Sequence, residues 1–587
     1  MGQFFTPRHI TRFMADLVDV REKDVIVDPS CGTGGFLIAS LYRMIGGRQL
    51  TPKQIRNLVS GHLWGFESDP LTAGLCVANM ILRGDGTSGV VKGNCFTDPR
   101  YPESKANIVL GNPPFPHKKS DDQPEKFVDR ALEALRVRGV AAMVVPASML
   151  GKTGVKKKWR HHVLRDNTLQ AVIKLPNELF EPYATAYTNI AILEKGVKHK
   201  PDNKIFFARI ENDGYRLKKN VRVDQPGEQL TETLDALHNR TELAGWRSWR
   251  TLDTKTQDWS PGAYIESAVA SESHIRREVD TMFRSDASLH SYFADRLAMF
   301  YQRLDNGSLA GRPYSTITGR KAFTIDGEPG LLGNYFYVYY GQRELHSKEG
   351  LESGDALVVS SSGEYNGCYG FFEYTNLIKP PFATVPSTGS IGDCFVQRLP
   401  CGVTDDCLLL FPKPGVPIEM LYVAAAVVRT ESWRFSYGRK ITPSRMARFK
   451  MPLVDGLLDW IKRRMSEANS LGKTIVDALA DERGIKEEFS RLLVQWEQER
   501  PRGANVEAMA SHPVYQSIIG MGLSAVPLLL AELKCKPSHW FAALNAITGA
   551  NPVPPEDAGK VKRMVAAWIE WGTQRGYIND VDRSAVR

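Results

Sequence analysis

The stretch DVIVDPSCGTGGF at residues 24–36 joins a short apolar strand directly to a glycine-rich turn and the start of a helix. The glycines allow the backbone to pass close to a ligand, and Asp28 can face a cationic or amine group. A single turn of this kind is a weak indication of function, because it can serve a dinucleotide, a nucleotide or no ligand. Its order of strand, turn and helix nevertheless indicates a unit of an α/β fold.

The same alternation of apolar strands and helical segments runs from about residue 6 to 210. Strands that are almost wholly apolar are typical of a mainly parallel sheet that helices cover on both faces. We expect strands at 24–27, 63–66, 89–91, 107–110, 140–145, 169–175 and 188–194. We expect helices near 35–46, 70–83, 124–138 and 155–166. The predicted fold class is α/β, an open, doubly wound sheet that binds its ligands at the carboxyl ends of the strands.

The sequence NIVLGNPPF at 107–115 presents Asn112, Pro113, Pro114 and Phe115 directly after one of these strands. The Asn112 side chain offers a carbonyl oxygen as an acceptor, and the two prolines stiffen the turn. Phe115 adds a flat apolar face. This combination suits a planar ring that carries an amino group, although a proline turn that caps a core strand would also explain it.

Two further stretches point to an adenosine-type cofactor. In GFESDP (65–70), Glu67 ends a strand, where an acid commonly accepts both ribose hydroxyls. The glycine-rich turn at 28–36 contains no Gly-Lys-Ser/Thr, so the cofactor is expected to be adenosyl-like and not a triphosphate. In GQFFTPRHI (2–10), Thr6 and Pro7 predict a helix start, with Thr6 as the cap. The backbone near Phe5 could also hold a polar tail, and a simple helix cap is the alternative.

Composition narrows the class of protein. The chain has 587 residues, enough for about three or four domains. Its net charge of +9 permits contact with a polyanion without requiring it. Eight cysteines stand singly, with no CxxC pair and no histidine at metal-ligand spacing, so we expect reduced thiols and no metal. No signal-peptide core or membrane-length apolar run is present, so we expect a cytoplasmic protein without a membrane partner.

Changes in hydrophobic pattern and composition along the chain predict five segments. An α/β domain occupies 1–245, and a connecting segment follows at 246–310. A β-rich (α+β) domain is expected at 311–455, a helical segment at 456–500 and a small helical module at 506–587, after a linker at PRGAN (501–505). Trp540, Trp568 and Trp571 are expected in the core of the last module, to which no chemistry can be assigned.

Taken in order, the motifs GQFFTPR, DPSCGTGGF, GFESDP, GNCF (93–96) and GNPPF resemble those of S-adenosylmethionine-dependent N6-adenine DNA methyltransferases. The resemblance is to the modification subunits of type I restriction-modification systems, and it covers about residues 2–240. It implies S-adenosyl-L-methionine as cofactor, double-stranded DNA as substrate and a restriction or specificity subunit as a further partner. Members usually carry a helical domain ahead of the first motif, on which this chain begins.

The resemblance also assigns residues to roles. Those expected to bind the cofactor are Gln3, Phe4, Phe5, Thr6, Pro7, Arg8, Asp28, Thr33, Gly34, Gly35, Glu67, Asn94, Cys95 and Phe96. Many relatives have Asp at the position of Asn94. The catalytic residues would be Asn112, Pro113, Pro114 and Phe115, which would hold a flipped adenine for direct methyl transfer without a metal.

Residues 311–455 resemble the target-recognition domain of a specificity subunit through VVSSSGEYNG (358–367) and WRFSYGRKITPSRMARFKMPL (433–453). In the second stretch aromatic and basic residues alternate, as in a surface that follows phosphates and reads bases. A solvated charged face is the alternative. The residues expected to contact DNA are Trp433, Arg434, Tyr437, Arg439, Lys440 and Arg445. The DNA-reading domain is therefore predicted to be fused to the enzyme.

Other functions remain open from the sequence. A related Asn-Pro-Pro-aromatic motif serves enzymes that methylate a protein glutamine amide or an RNA amine. A catalytically idle DNA-binding subunit could keep the same fold. A combined endonuclease and methyltransferase is a third alternative, but we find no acidic-lysine nuclease constellation, so any cleavage is expected to need a partner.

Overall fold

The computed structural model describes residues 5–85, 89–116, 118, 120–151, 153–184, 186–318, 322–323, 329–346, 351–436, 438–452, 456–500, 509–510, 512–535, 540–575 and 577–578. The linker predicted at 501–505 lies outside these ranges, as do Gln3, Phe4 and Tyr437.

The first domain contains eleven of the described strands. They are β1 (Ile26–Asp28), β2 (Leu63–Glu67), β3 (Gly89–Lys92), β4 (Ala106–Gly111), β5 (Leu135–Pro146), β6 (Asn167–Lys174), β7 (Thr188–Lys195), β8 (Lys204–Arg209), β9 (Tyr215–Lys218), β10 (Val221–Asp224) and β11 (Arg247–Thr251). Nine of them form one sheet in the order β11-β8-β6-β7-β5-β4-β1-β2-β3, and β9 with β10 forms a separate hairpin. In the sheet, β7 and β11 run antiparallel to their neighbours and the other pairs are parallel. All seven predicted strands are present, which confirms the α/β fold class.

Helices cover both faces of this sheet. They are α1 (Arg8–Leu17), α2 (Gly35–Ile45), α3 (Pro52–Val59), α4 (Pro70–Ile81), α5 (Pro124–Ala134), α6 (Ala147–Gly151), α7 (Val155–Asp166) and α8 (Leu230–Asn239). Neighbouring strand residues enter different cores: Ile26 and Ile108 join one, while Val27 and Val109 join the other. Because both faces are buried, the strands are continuously apolar. Helix α5 ends earlier than predicted, because Leu135 already starts β5.

The segment predicted as a connection divides between two domains. Strand β11 completes the first sheet, whereas α9 (Glu272–Tyr292) and α10 (Ala294–Asp305) pack on the second domain. A short 3-10 turn at Pro261–Ala263 lies between them. The second domain therefore includes a helical layer that the sequence pattern did not separate from the connection.

Two sheets make up the β-rich part of the second domain, as the sequence predicts. Its strands are β12 (Phe336–Tyr340), β13 (Ser353–Val359), β14 (Cys368–Phe372), β15 (Phe382–Pro386), β16 (Phe395–Gln397), β17 (Gly402–Val403) and β18 (Cys407–Pro412). The strand orders are β12-β18-β15-β16 and β14-β13-β17. The helices are α11 (Tyr314–Thr318), α12 (Leu332–Tyr335), α13 (Glu419–Thr430) and α14 (Pro443–Met446), with 3-10 turns at Arg343–Leu345, Tyr365–Gly367 and Ser432–Arg434.

A long helix, α15 (Leu457–Glu499), leads to the last module. The module contains α16 (Pro513–Gly520), α17 (Val526–Cys535), α18 (Phe541–Thr548) and α19 (Val561–Gln574), with 3-10 turns at Gly522–Ala525 and Pro555–Asp557. Trp496 of α15 packs in its core beside Tyr515 and Trp540, at ring-centre distances of 5.2 and 6.0 Å. Trp568 is buried and Trp571 half-buried in the same core, as expected.

In the part of the chain that the structure describes, no single helix has the length and apolar character needed to cross a membrane. One pair of helices, Pro513–Gly520 and Gly522–Cys535, meets the length and composition criteria jointly but bends by 104° between its members.

Strand β2 packs closely on the glycine-rich turn. Two glycine-to-alanine substitutions, at Gly65 and Gly74, test this packing through their effects on the free energy of unfolding. An alanine Cβ at Gly65 would lie 2.8 Å from Leu37 Cδ1 and 2.9 Å from Cys31 Sγ, whereas at Gly74, on α4, nothing lies within 4 Å. We expect Gly65→Ala to lower the free energy of unfolding by about 1–3 kcal/mol through overpacking. Gly74→Ala should instead raise it by about 0.5–1 kcal/mol, because helical glycine is entropically costly. Urea denaturation of both variants measures these opposite effects, and equal shifts would contradict the packing described.

Candidate functional site

The carboxyl ends of β1 and β4 lie side by side in the sheet. The two strands pair in parallel, with Ile26 opposite Ile108 and Val27 opposite Val109. Asp28 is the last residue of β1, and Asn112 directly follows β4. The two sequence motifs that predicted a ligand site therefore meet at the same edge of the sheet.

Asn112 contacts the amino-terminal segment. Its side-chain amide nitrogen donates a hydrogen bond to the Thr6 hydroxyl at 3.0 Å, while its amide oxygen is buried and has no partner among the described residues. The predicted role of Thr6 as a helix cap is wrong, because α1 starts at Arg8 without a side-chain cap bond. Thr6 instead leaves the Asn112 oxygen free to accept a hydrogen.

Asp28 is 0% exposed, and its carboxylate has one protein partner among the described residues. One oxygen accepts a hydrogen bond from the Ser30 backbone nitrogen at 3.1 Å, and the other has none. Burial, with a smaller contribution from the nearby Glu67 carboxylate, raises the pKa of Asp28 to about 8. The ligand-free protein therefore keeps this acid largely protonated at neutral pH, and a cation bound beside it would favour its ionised form.

The glycine-rich turn is held by close packing and by Glu67. Gly34 has φ +86°, and a Cβ there would lie 2.8 Å from Cys76 Sγ, so only glycine fits. The Glu67 carboxylate accepts hydrogen bonds from the backbone nitrogens of Gly32 at 3.1 Å and Asp69 at 2.9 Å. These contacts connect the end of β2 to the turn that follows β1.

A solvent-open pocket of about 440 Å³ lies against this turn. Its lining residues are Phe5, Thr6, Arg8, Thr11, Ser30, Cys31, Gly32, Thr33, Gly35, Phe36 and Asn112. Six of these were predicted site residues. The sequence reasoning missed the others, although Ser30 to Gly32 and Phe36 stand inside the quoted motif. The Ser30 hydroxyl is a further buried polar group without a partner among the described residues.

The other predicted site residues lie around this pocket in different settings. Pro113 is buried, Pro114 is exposed, and Phe115 is half-buried against the core under α1. Asn94 is exposed, and its side-chain oxygen accepts from the Phe96 backbone nitrogen at 2.9 Å. Cys95 is buried, and Phe96 packs edge-on against Phe127. The pocket lining does not include Pro7, Asp28, Gly34, Glu67, residues 94–96 or residues 113–115.

The structure corrects the prediction that two residues, Arg434 and Arg439, contact DNA. Arg434 and Arg439 are each 8% exposed. Arg434 donates to the backbone oxygens of Gly262 and Ile265 and pairs with Glu431, while Arg439 binds Asp258 at 3.1 Å. Their charges are satisfied inside the protein, where they join the second domain to residues 258–265.

The remaining residues of this predicted surface differ in exposure. Trp433 is half-buried, with the guanidinium carbons of Arg209 and Arg434 at 4.3 and 4.5 Å from its ring centre. Lys440 is exposed, and Arg445 is half-buried and donates to the Lys440 backbone oxygen. Trp433 also lines a cleft of about 1110 Å³ between the two domains, together with Lys174, Asn189 and Arg429 among others.

Searches of known proteins match the part of the chain that carries this pocket. Residues 1–272 match the family model of N-6 DNA methylases. The type II restriction enzyme and methyltransferase RM.BcgI of Heyndrickxia coagulans is 34% identical over 252 residues, which cover 42% of this chain and 39% of that protein. The type I restriction enzyme EcoEI methylase subunit of Escherichia coli is 29% identical over 221 residues, which cover 35% and 44%. The chain thus spans less than half the length of both relatives.

Solved structures are less similar to this chain in sequence, and their TM-scores are low. The type I restriction enzyme EcoKI M protein has 21% identity and a TM-score of 0.35, covering 41% of this chain and 53% of that one. The type IIG restriction endonuclease BpuSI has 10% identity and a TM-score of 0.38, covering 81% and 66%. Overlaps of this size support no assignment.

The contact between the domains predicts that removing either of two neighbouring cations, Arg439 or Lys440, has a different effect on the free energy of unfolding. Arg439→Ala leaves the Asp258 carboxylate buried without its cation, so we expect the free energy of unfolding to fall by about 3–5 kcal/mol. Lys440→Ala, at an exposed position, should change it by no more than about 0.5 kcal/mol. Urea denaturation measures both. A DNA-binding defect in Arg439→Ala with unchanged stability would restore the original prediction for this residue.

The buried acid predicts a pH-dependent gain in stability on its removal. An unfolded aspartate loses its proton at about pH 4, whereas folded Asp28 keeps it to about pH 8. The unfolded state therefore binds fewer protons in this range, and Asp28 lowers stability progressively as the pH rises from about 4 to 8. Asp28→Asn should melt increasingly higher than wild type across pH 5, 7 and 8.5, whereas the exposed Asp202→Asn should not. A pH-independent difference would mean that Asp28 is ionised in the folded protein.

Proposed function

Because residues 1–272 match the N-6 DNA methylase family, we propose that this protein methylates N6 of adenine at specific sites in duplex DNA. We place it in the cytoplasm, within a restriction-modification or related host-defence system, where a restriction or specificity subunit is a further partner. The observation that carries the proposal is that buried polar atoms of Asp28, Ser30 and Asn112, at or just after adjacent strand ends, have no partner among the described residues. Such atoms are costly unless a ligand satisfies them.

The residues at the pocket fit S-adenosyl-L-methionine. When bound, this cofactor supplies the methyl group. Asp28 offers a buried carboxylate for its amino group, and the turn at Thr33 to Gly35 lets the backbone approach closely. Phe5, Thr6 and Arg8 also line the pocket. Following the family pattern, we assign the ribose to the Glu67 carboxylate, which also accepts from Gly32 and Asp69, and the adenine ring to residues 94–96.

Asn112 is the residue on which substrate chemistry depends. The exocyclic amine of a paired, stacked adenine cannot be reached, so the base must be extruded from the duplex. The unpartnered Asn112 oxygen then accepts one N6 hydrogen and the Pro113 backbone oxygen accepts the other. Thr6 holds the Asn112 amide in this orientation through its 3.0 Å hydrogen bond.

These acceptors activate the amine by position. They draw the N6 hydrogens away from the ring plane. The nitrogen lone pair is then no longer conjugated with the ring and is free to attack the methyl group in line. Phe115 supplies a face on which the flipped ring stacks. Preorganised acceptors and alignment contribute most of the rate in such a transfer.

For the second domain we propose the role of DNA reader. The supporting observations are its contact with residues 258–265, the cleft of about 1110 Å³ that opens between the domains, and the exposed Lys440. Arg445, Trp433 and Tyr437 stay in the proposed surface, whereas Arg434 and Arg439 hold the domains together.

A methyl-transfer assay with Asn112→Ala tests the catalytic assignment. We expect kcat on duplex DNA to fall by roughly 10²–10³-fold, because an aligned acceptor is lost. Thermal stability should stay near wild type, so that the lower kcat reflects the lost acceptor and not a loss of fold. Asn239→Ala, at an exposed helix end, removes the same side chain far from the strand ends and should keep full activity.

Retention of near wild-type activity in Asn112→Ala would refute this mechanism. Mass spectrometry of nucleosides and peptides, after incubation of the wild-type protein with DNA, RNA and protein, separates the substrate classes. N6-methyladenine in DNA is the expected product. Methylated RNA or glutamine would replace the proposal by one of its rivals, and no methyl transfer at all would favour an idle DNA-binding subunit.

A further inference from the structure

The hairpin of β9 and β10 stands outside the nine-stranded sheet. Its strands pair in register, with Lys218 opposite Val221 and Arg216 opposite Val223. The turn residues Lys219 and Asn220 have φ of +48° and +61°. Two consecutive residues with positive φ form the tight turn that best matches the twist of a hairpin. The hairpin is therefore a defined small element with two distinct faces.

One face is anchored to the protein. Tyr215 packs on the His9 ring at a centre distance of 4.7 Å, and Arg222 donates to Asp213 at 2.5 Å. The Leu217 backbone nitrogen donates to the Glu178 carboxylate at 3.0 Å. These contacts fix how the hairpin is presented.

The anchor leads to the proposed active site. The Asp213 side chain is fully buried and binds both Arg222 and the His9 Nε2, the latter at 2.8 Å. His9 lies on α1, three residues after Thr6, whose hydroxyl contacts Asn112. Three contacts and the short chain segment from Thr6 to His9 thus connect the hairpin to the side chain that would hold the target base.

The opposite face carries exposed cations. Side chains alternate along a strand, so Arg216 and Lys218 lie on the face away from Tyr215 and Leu217, and Lys219 stands at the tip. All three are exposed, and no ion pair is found for them in the described part of the chain. The exposed acids nearest in sequence are Glu211, which pairs with Arg209, and Asp224, at the far end of the hairpin. The exposed Glu178 carboxylate accepts from the Leu217 backbone nitrogen on the anchored side. The tip and outer face are consequently positive.

We propose that this outer face contacts the phosphates of duplex DNA beside the target adenine. Rows of unpaired cations on a rigid element match a row of phosphates in charge, and such contacts position DNA without reading its sequence. The inference rests on the proposed function, because it takes DNA as the substrate. It adds a contact surface on the first domain, separate from the aromatic and basic stretch of the second.

The test is the salt dependence of DNA binding by the triple variant Arg216→Ala/Lys218→Ala/Lys219→Ala of the full chain. Loss of three phosphate contacts should reduce the slope of log K against log salt by roughly 2–3 and weaken binding at least about tenfold at low salt. Matched and unmatched DNA sequences should be affected alike. At saturating DNA the methylation rate should stay near wild type, and KM for DNA should rise.

The control variant removes three other exposed cations, in Lys105→Ala/Lys198→Ala/Lys200→Ala. These lie where β4 and β8 begin and β7 ends, which is the edge of the sheet opposite Asn112. The control variant loses the same charge as the triple variant, but away from the proposed DNA-contacting face. Its slope of log K against log salt should therefore match that of the wild type. Melting temperatures check the fold of both variants, and the single variant Lys219→Glu, which should also weaken DNA binding, provides a second test at the tip.

An unchanged slope in the triple variant, or equal changes in the triple and the control, would overturn the inference. A lower rate at saturating DNA with an unchanged slope would also overturn it. Failure of the proposed function appears differently: the wild-type protein itself would then not methylate adenine in DNA.

Discussion

The parallel pairing of β1 with β4 is the constraint on which the candidate site depends. Asp28 and Asn112 are 84 positions apart in the chain, yet the pairing ends both strands at the same edge of the sheet. The register is secured by apolar residues that enter two cores on opposite faces, because a one-residue slip would move each set into the core that the other one fills. The precision of the site therefore comes from hydrophobic packing some distance from any polar group.

The site itself opposes stability. A buried acid that stays protonated to about pH 8, a buried hydroxyl and an amide oxygen lie together without protein partners among the described residues. Each costs about 1–3 kcal/mol relative to a satisfied group. The surrounding sheet tolerates this cost because its strands are almost wholly buried. Unpaired polar groups at these strand ends therefore indicate a binding site. If the positions served only to pack the core, apolar residues would be more stable there.

The contact between the domains depends on buried charge. Arg434 and Arg439 bridge residues 258–265 to the second domain, and the backbone approaches so closely at Gly262 that a Cβ would lie 2.6 Å from Arg434 Cα. The interdomain cleft lies beside these contacts and beside strand ends of the first domain. In the hairpin the use of arginine is similar: Arg222 serves as an anchor, while Arg216 and Lys218 of the partner strand are exposed and form no ion pair with a described residue. In both places the protein spends some cations on its own structure and leaves others exposed.

The sequence by itself determined the α/β class, the seven strands and the strand-end positions of Asp28, Glu67 and Asn112, because hydrophobic periodicity and glycine chemistry are local properties. It also indicated the β-rich domain and the tryptophan core of the last module. Only the tertiary structure decided that Thr6 binds Asn112 and not the helix start, and that Arg434 and Arg439 are buried. The physical reason is that the partners of a polar side chain, and its exposure to water, are set by residues distant in the chain. An arginine that binds a phosphate and one that holds two domains together therefore look the same in sequence.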